Sequence, residues 1–166
     1  MRVLVVYGSK RGGTAGLARM IGDEFSGAGV MADVRPAGQV GSVDDADAVV
    51  IAGALYALRW HRDARQFAKR FADQLRDRPV WLVASGPLDG SAVTGELPPV
   101  RQVVAVMDRL GARGQVTFGG RLEPDAKGFP ASAMAKKSAG DWRDADHVHR
   151  WVASVVDALH QLEHAA

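Results

Sequence analysis

The stretch that decides the fold is VLVVYGSKRGGT, residues 3–14, in which a short apolar run leads directly into a glycine-rich turn. The run VLVVY shows no polar alternation, which is typical of a central strand covered by helices on both faces. Gly8, Gly12 and Gly13 let the backbone curl tightly, so that successive amide N–H groups can converge on one anion at the start of a helix. The stretch therefore predicts a buried strand followed by a phosphate-binding turn.

Two familiar phosphate motifs are incomplete in this turn. Gly8 and Gly13 have the spacing of a nucleoside-triphosphate loop, but Thr14 stands where that loop requires lysine. The Gly-x-Gly-x-x-Gly fingerprint of dinucleotide sites is also missing from Gly8 onward. A site for a single phosphate remains, bound mainly by amides and by the hydroxyls of Ser9 and Thr14. The alternative is an ordinary glycine-rich connection with nothing bound.

Two adjacent cations, Lys10 and Arg11, lie in the same turn. Adjacent side chains point apart, so one of them can contact a phosphate while the other stays in solvent. They could instead attract an acidic substrate or partner.

Strands and helices alternate along the rest of the chain, which predicts an α/β fold. The predicted strands are residues 3–7, 30–35, 48–53, 79–85 and 115–119, and the predicted helices are residues 13–29, about 64–75, 99–111 and 142–162. The second and fifth strands alternate polar and apolar residues, as edge strands do, whereas the other three are continuously apolar. This pattern fits a doubly wound, five-stranded parallel sheet of order 2-1-3-4-5 with right-handed crossovers, and it places a ligand where the order reverses, between strands one and three.

Composition limits the function. The 166 residues are 47% hydrophobic and suit a single domain spanning 1–166. A net charge of +2 from 21 basic and 19 acidic side chains does not favour nucleic acid, and without cysteine any electron chemistry requires a bound cofactor. No apolar run reaches the roughly 20 residues of a membrane span, and the start of the chain lacks a signal peptide, so we expect a cytoplasmic protein.

Lys136 and Lys137 are a weak signal for peripheral membrane contact. His160 and His164 have helical metal-pair spacing but no third ligand, so no metal is predicted.

A second loop, residues 54–61, follows a central strand and is rich in large apolar and aromatic side chains. Such side chains could flank a planar conjugated ligand, and Tyr56 and Trp60 are equal candidates for stacking on it. Trp60 could instead simply cover the start of the next helix. His61 could exchange a proton beside the ligand or begin that helix. The candidate residues of this loop are Ala54, Leu55, Tyr56, Trp60 and His61.

A third loop turns sharply after the fourth strand. It contains glycine and proline, which bring backbone amides close to a ligand edge. Its candidate residues are Ser85, Gly86, Pro87 and Leu88, and the amides of Gly86 and Leu88 are the expected donors.

The pattern YGSxxGxTxxxAxxI, residues 7–21, resembles the signature of the flavodoxin family at every position. In that family this loop holds the phosphate of flavin mononucleotide, FMN. The resemblance implies an FMN-binding, flavodoxin-like fold in which the second and third loops contact the flavin ring. It places Ser9, Lys10, Arg11, Gly12, Gly13 and Thr14 at the phosphate.

A looser resemblance narrows the expected activity. Residues 53–56 (GALY) with His61 and Phe67, and residues 140–142 (GDW), are similar to the subgroup that includes the menaquinone-dependent protoporphyrinogen oxidase. This implies an FMN-dependent oxidoreductase with a quinone acceptor and a tetrapyrrole substrate. The subgroup's long insertion before the last helix is replaced here by the shorter segment 121–140. The alternatives are a flavodoxin-type electron carrier that serves a redox partner and a flavin-free binding protein of the same fold; no catalytic residue is identified.

Overall fold

The computed structural model describes residues 1–9, 12–86, 92, 97–122 and 140–166. Its main sheet contains five parallel strands, and each of the three central ones is a buried apolar run. These strands are β1 (Arg2–Gly8), β2 (Met31–Pro36), β3 (Ala48–Tyr56), β5 (Val80–Ser85) and β6 (Gly114–Phe118). The order β2-β1-β3-β5-β6 confirms the predicted fold class, and the labels shift only because the short antiparallel strand β4 (Arg59–Trp60) pairs with β3.

Helices cover both faces of the sheet and create two cores. On one face, α1 (Gly13–Gly27) and α5 (Ala145–Ala165) pack against Val3, Val5 and Val50. The other face is covered by α2 (Arg62–Arg70), α3 (Ala72–Arg76) and α4 (Arg101–Leu110). Because strand side chains alternate in direction, each apolar strand supplies residues to both cores, which explains the absence of polar alternation.

The segment 54–61 is a hairpin instead of the predicted loop. Strand β3 continues to Tyr56, and β4 turns back beside it, with Leu55 opposite Trp60 and Tyr56 opposite Arg59. Trp60 is only 1% exposed, so burial of its large side chain fixes the returning strand on the sheet.

Two helices also differ from their predicted bounds. The single helix expected over residues 64–75 breaks at Phe71, between α2 and α3. The last helix begins at Ala145 instead of Trp142, because Asp144 caps it by accepting a hydrogen bond from the backbone N–H of His147 at 2.9 Å. Before it, β8 (Gly140–Asp141) pairs with β7 (Arg121–Leu122) in a separate antiparallel ribbon. Within the described ranges, no helix has both the length and the apolar character needed to cross a bilayer.

Candidate functional site at the carboxyl edge of the sheet

The turn between β1 and α1 lies where the strand order reverses. Gly12, the residue that precedes α1, adopts a left-handed conformation with φ 80°, and its N–H donates to Ser9 Oγ at 3.1 Å. Among the described residues, no side chain caps this helix end and no acidic residue lies in its first turn. Uncapped amides and the positive end of the helix dipole attract an anion, so the turn has the chemistry of a phosphate site.

The start of α1 is partly covered by other parts of the chain. Thr14 is buried, with 2% of its surface exposed. A Cβ atom on Gly13 would lie 3.1 Å from the carbonyl oxygen of Arg121, so the backbone of β7 passes directly over the start of α1. Lys10 and Arg11, the two predicted cations of the turn, lie outside the described residues.

The end of β3 brings Leu55 and Tyr56 to the same edge. Leu55 is half-buried and packs on Gly86, where an added Cβ atom would meet Leu55 Cβ at 2.9 Å. Tyr56 is also half-buried, and strand alternation directs it to the opposite face of the sheet, the face that α1 covers. Ala54 is buried within β3. Tyr56 therefore has both the exposure and the direction needed to contact a ligand beside α1.

Trp60 is a core residue, and its predicted stacking on a ligand is wrong for this structure. Its ring has 1% exposure and no free face, because it packs over Gly53 and Ala64. The indole Nε1 donates to the carbonyl oxygen of Val83 at 3.1 Å, and the backbone N–H donates to Gln102 Oε1 at 2.8 Å. Of the two aromatic candidates, only Tyr56 keeps an accessible ring.

His61 begins a helix, which was one of its two expected roles. Its Nδ1 accepts a hydrogen bond from the backbone N–H of Asp63 at 3.1 Å and so caps α2. The same atom would lie 2.7 Å from a Cβ atom on Gly8, so the ring covers the end of β1. The His61 ring therefore fills the α2 side of the sheet's carboxyl edge.

The third loop is described only in part. Ser85 is buried as the last residue of β5, and the N–H of Gly86 donates to the carbonyl oxygen of Phe118 at 2.8 Å. That amide continues the sheet ladder, so the prediction that it contacts a ligand is wrong for this structure. Pro87 and Leu88 lie outside the described residues.

Sequence reasoning missed the ion pair between Asp141 and Arg143, which lies against α1. The guanidinium donates from Nε to Oδ1 at 2.9 Å and from Nη2 to Oδ2 at 2.7 Å, and these hydrogen bonds lower the pKa of Asp141 below its ordinary value of 3.8. The Arg143 Nη1 atom occupies the space that a Cβ atom on Gly16 would need. A glycine inside a helix is unfavourable, so Gly16 was the sequence signal of this close approach.

His147 is a second missed residue, in the first turn of α5. Its ring meets Phe118 edge-on with centroids 4.6 Å apart, and its buried Nδ1 atom has no hydrogen-bond partner in the part of the chain that the structure describes. Burial lowers the pKa of His147 below its ordinary 6.5, and the positive charge of Arg150 lowers it further, whereas Asp144 opposes the shift. Within the parts of the chain described here, no cluster of side chains suits a metal ion.

The fold defines a class: a doubly wound α/β protein with a glycine-rich helix start at the reversal of strand order. The family model described as Flavodoxin domain matches residues 4–125. The chain belongs to this family.

Solved structures share the fold over nearly the whole chain. A cysteine-to-serine mutant of flavodoxin from Pseudomonas aeruginosa is 18% identical with a TM-score of 0.62, covering 96% of this chain and 99% of that one. Oxidised flavodoxin 1 from Bacillus cereus is 12% identical with a TM-score of 0.62, covering 95% and 98%. Rubredoxin oxygen:oxidoreductase from Desulfovibrio gigas is 11% identical with a TM-score of 0.57, covering 92% of this chain and 36% of that longer one. No curated protein matches the chain.

Proposed function

We propose that the protein binds FMN and works as an FMN-dependent oxidoreductase. The observation that carries this proposal is the uncapped, glycine-built start of α1 at the switch point of a flavodoxin-family sheet. A monophosphate suits this helix end, because it accepts hydrogen bonds from amides that no side chain among the described residues caps. The residues proposed to hold the phosphate are Ser9, Lys10, Arg11, Gly12, Gly13 and Thr14.

The flavin ring would lie between the hairpin and the start of α1. Tyr56 supplies an accessible aromatic face, and the backbone of Ala54 and Leu55 approaches the same space from β3. Bound FMN supplies electron transfer, which no side chain of this cysteine-free chain provides. The protein's own contribution is to orient the ring, exclude water from one side and neutralise the phosphate.

A titration with FMN and with riboflavin tests the proposal. FMN should bind, so that its visible absorbance follows the protein on gel filtration. Riboflavin, which lacks the phosphate, should bind at least tenfold more weakly, the effect of about 1.4 kcal/mol of lost phosphate contact. Equal affinities would contradict the phosphate turn, and absence of binding by both would favour the flavin-free alternative.

A matched pair of variants tests Thr14 itself. Thr14→Val should weaken FMN binding by about 1–3 kcal/mol, because a charged phosphate oxygen would lose a hydroxyl donor. Thr117→Val is the control, since Thr117 is buried to a similar degree in β6, on the face away from α1. An unchanged FMN affinity for Thr14→Val, or an equal loss for both variants, would remove Thr14 from the site.

The specific activity we propose is oxidation of a tetrapyrrole such as protoporphyrinogen, with a quinone as acceptor. Its support is the similarity of residues 53–56 and 140–142 to the oxidase subgroup. The FMN-loaded protein should then oxidise protoporphyrinogen and pass the electrons to a soluble quinone without any other protein.

An electron carrier is the second candidate. The Flavodoxin domain matched over residues 4–125 favours it, because flavodoxins are the proteins among the solved structures that share this fold. Turnover of quinone and porphyrinogen only when a reductase partner is supplied would favour the carrier over the enzyme.

A further inference from the structure

The apex of the β3–β4 hairpin is strained. The two residues between the paired positions, Ala57 and Leu58, have φ of 48° and 61°. Two-residue hairpin turns of this kind favour Asn-Gly, because residues with a Cβ atom are strained when φ is positive. Backbone strain of this sort is retained where the surrounding structure enforces it, and it concentrates at functional sites.

The base of the hairpin is held rigidly. Trp60 is buried, and its Nε1 donates to the carbonyl oxygen of Val83. The Nε of Arg65 donates to the carbonyl oxygen of Trp60 at 3.0 Å. The strained apex is therefore anchored to the sheet through Trp60.

The apex presents an apolar side chain within a cationic segment. Leu58 is 79% exposed, more than any other large hydrophobic residue among those described. Arg59 and Arg62 follow it and are exposed. Segment 57–66 holds three arginines and one aspartate, a net charge of +2 with histidine neutral.

We propose that Leu58, with Arg59 and Arg62, forms the docking surface for an acidic electron-transfer protein. The inference rests on the proposed binding of FMN and belongs to the electron-carrier candidate, because the oxidase candidate needs no protein donor; the hairpin continues directly from Tyr56 at the proposed flavin site. An exposed leucine held on a rigid support can fill an apolar pocket of a partner, and arginines beside it match carboxylates and speed the encounter. In each productive encounter one electron leaves the partner's iron–sulfur centre, which is oxidised, and reduces the flavin of this protein.

Stopped-flow reduction of the FMN-loaded protein by a reduced acidic [2Fe–2S] ferredoxin tests the surface. Arg59→Glu should lower the second-order rate constant about fivefold or more at low ionic strength, and the loss should shrink at high salt. The charge control is Lys69→Glu at the far end of α2, which should leave the rate constant within twofold of wild type. Equal effects of the two variants would overturn the proposal.

The leucine can be tested without damaging the fold. Leu58→Gly removes the side chain and relieves the positive-φ strain, so it should raise the thermal unfolding midpoint while lowering the ferredoxin rate constant about fivefold. Met31→Ser, which removes a 65% exposed side chain at the opposite edge of the sheet, should not change the rate constant. A Leu58→Gly variant that reacts as fast as wild type would also overturn the proposal.

Two further measurements separate the possible failures. Binding of oxidised ferredoxin to the flavin-free chain, followed by NMR shifts of the hairpin amides, tests the surface even if FMN does not bind. Sedimentation with phosphatidylglycerol vesicles tests a lipid surface. If Leu58 and Arg59 are needed for vesicle binding but not for reaction with ferredoxin, the hairpin is a membrane contact and the proposal is wrong.

Discussion

Substitution of Gly53 by alanine should drive the hairpin away from the sheet. A Cβ atom on Gly53 would lie 2.5 Å from Trp60 Nε1 and 2.9 Å from Ala64 Cβ. Both neighbours are almost completely buried, at 1% and 0% exposure, so neither can give way into solvent. The backbone of Gly53 does not have a positive φ, so the expected effect comes from crowding alone.

The magnitude of this effect follows from two losses and one gain. Overpacking a well-filled core costs about 1–3 kcal/mol. Displacing the indole from the carbonyl oxygen of Val83 adds about 0.5–1.5 kcal/mol. Replacing glycine reduces the entropy of the unfolded chain, which returns about 0.4–1 kcal/mol. We therefore expect Gly53→Ala to lower the free energy of unfolding by about 0.5–4 kcal/mol.

Urea unfolding of four variants checks this reasoning: Gly53→Ala, Gly27→Ala, Trp60→Phe, and the double variant of Gly53→Ala with Trp60→Phe. Gly27→Ala is the control, because Gly27 is also a glycine without positive φ and a Cβ atom there would meet nothing within 4 Å. It should be neutral or slightly stabilising. Adding Trp60→Phe to Gly53→Ala should cost less than the two single changes together, because phenylalanine lacks the crowded Nε1 atom. Equal stability of Gly53→Ala and Gly27→Ala, or strict additivity in the double variant, would refute the steric argument.

The remaining predictions concern titratable groups near the edge. Burial in the folded state keeps the pKa of His147 below its ordinary value of 6.5. As the pH drops below 6.5, the unfolded chain therefore protonates this histidine more readily than the folded protein does, and the free energy of unfolding should fall. His147→Phe should flatten that part of a pH series of urea midpoints, and an unchanged slope would contradict the assignment. At pH values above 3.8, the ordinary pKa of its side chain, Asp141 stabilises the folded protein through its ion pair. This stabilisation should disappear as the pH falls through the lowered pKa of Asp141 in the folded state. Asp141→Asn should cost no more than about 1 kcal/mol at pH 7, since the pair is partly exposed, and a thermal shift assay would detect a larger loss.

Apolar runs were sufficient to predict the sheet. The segments 48–53 and 80–84 lack polar residues because both of their faces are buried, and their short length and β-branched residues favour strands over buried helices. The edge positions of β2 and β6 followed from their alternation and are confirmed by the strand order. The glycine-rich turn before α1 was equally local, because glycine spacing and the start of a helix both follow from consecutive residues. Phosphate binding by that turn stays a prediction.

The errors arose where a contact depends on residues distant in sequence. An aromatic such as Trp60 beyond the expected end of a strand looks exposed until Gly53 and Ala64 are known to leave room for it. The amide of Gly86 looked free for a ligand because its acceptor, Phe118, lies 32 positions further along the chain. The ribbon of β7 and β8 pairs two-residue strands that are too short to leave a pattern.

The three glycines at the carboxyl edge locate the candidate site on one face of the sheet. Gly8 ends β1, Gly53 lies within β3 and Gly86 follows β5. Each lies under a larger side chain: His61, Trp60 and Leu55 respectively. All three contacts lie on the face that α2 covers, so that side of the edge is filled by the protein itself. Strand alternation directs the half-buried Tyr56 and the buried Ser85 to the other face, where the uncapped start of α1 lies. A ligand held by that helix end therefore meets Tyr56 without displacing any core side chain. The glycines make room for larger side chains on the face that α2 covers, so the face beside α1 is the one left for the ligand.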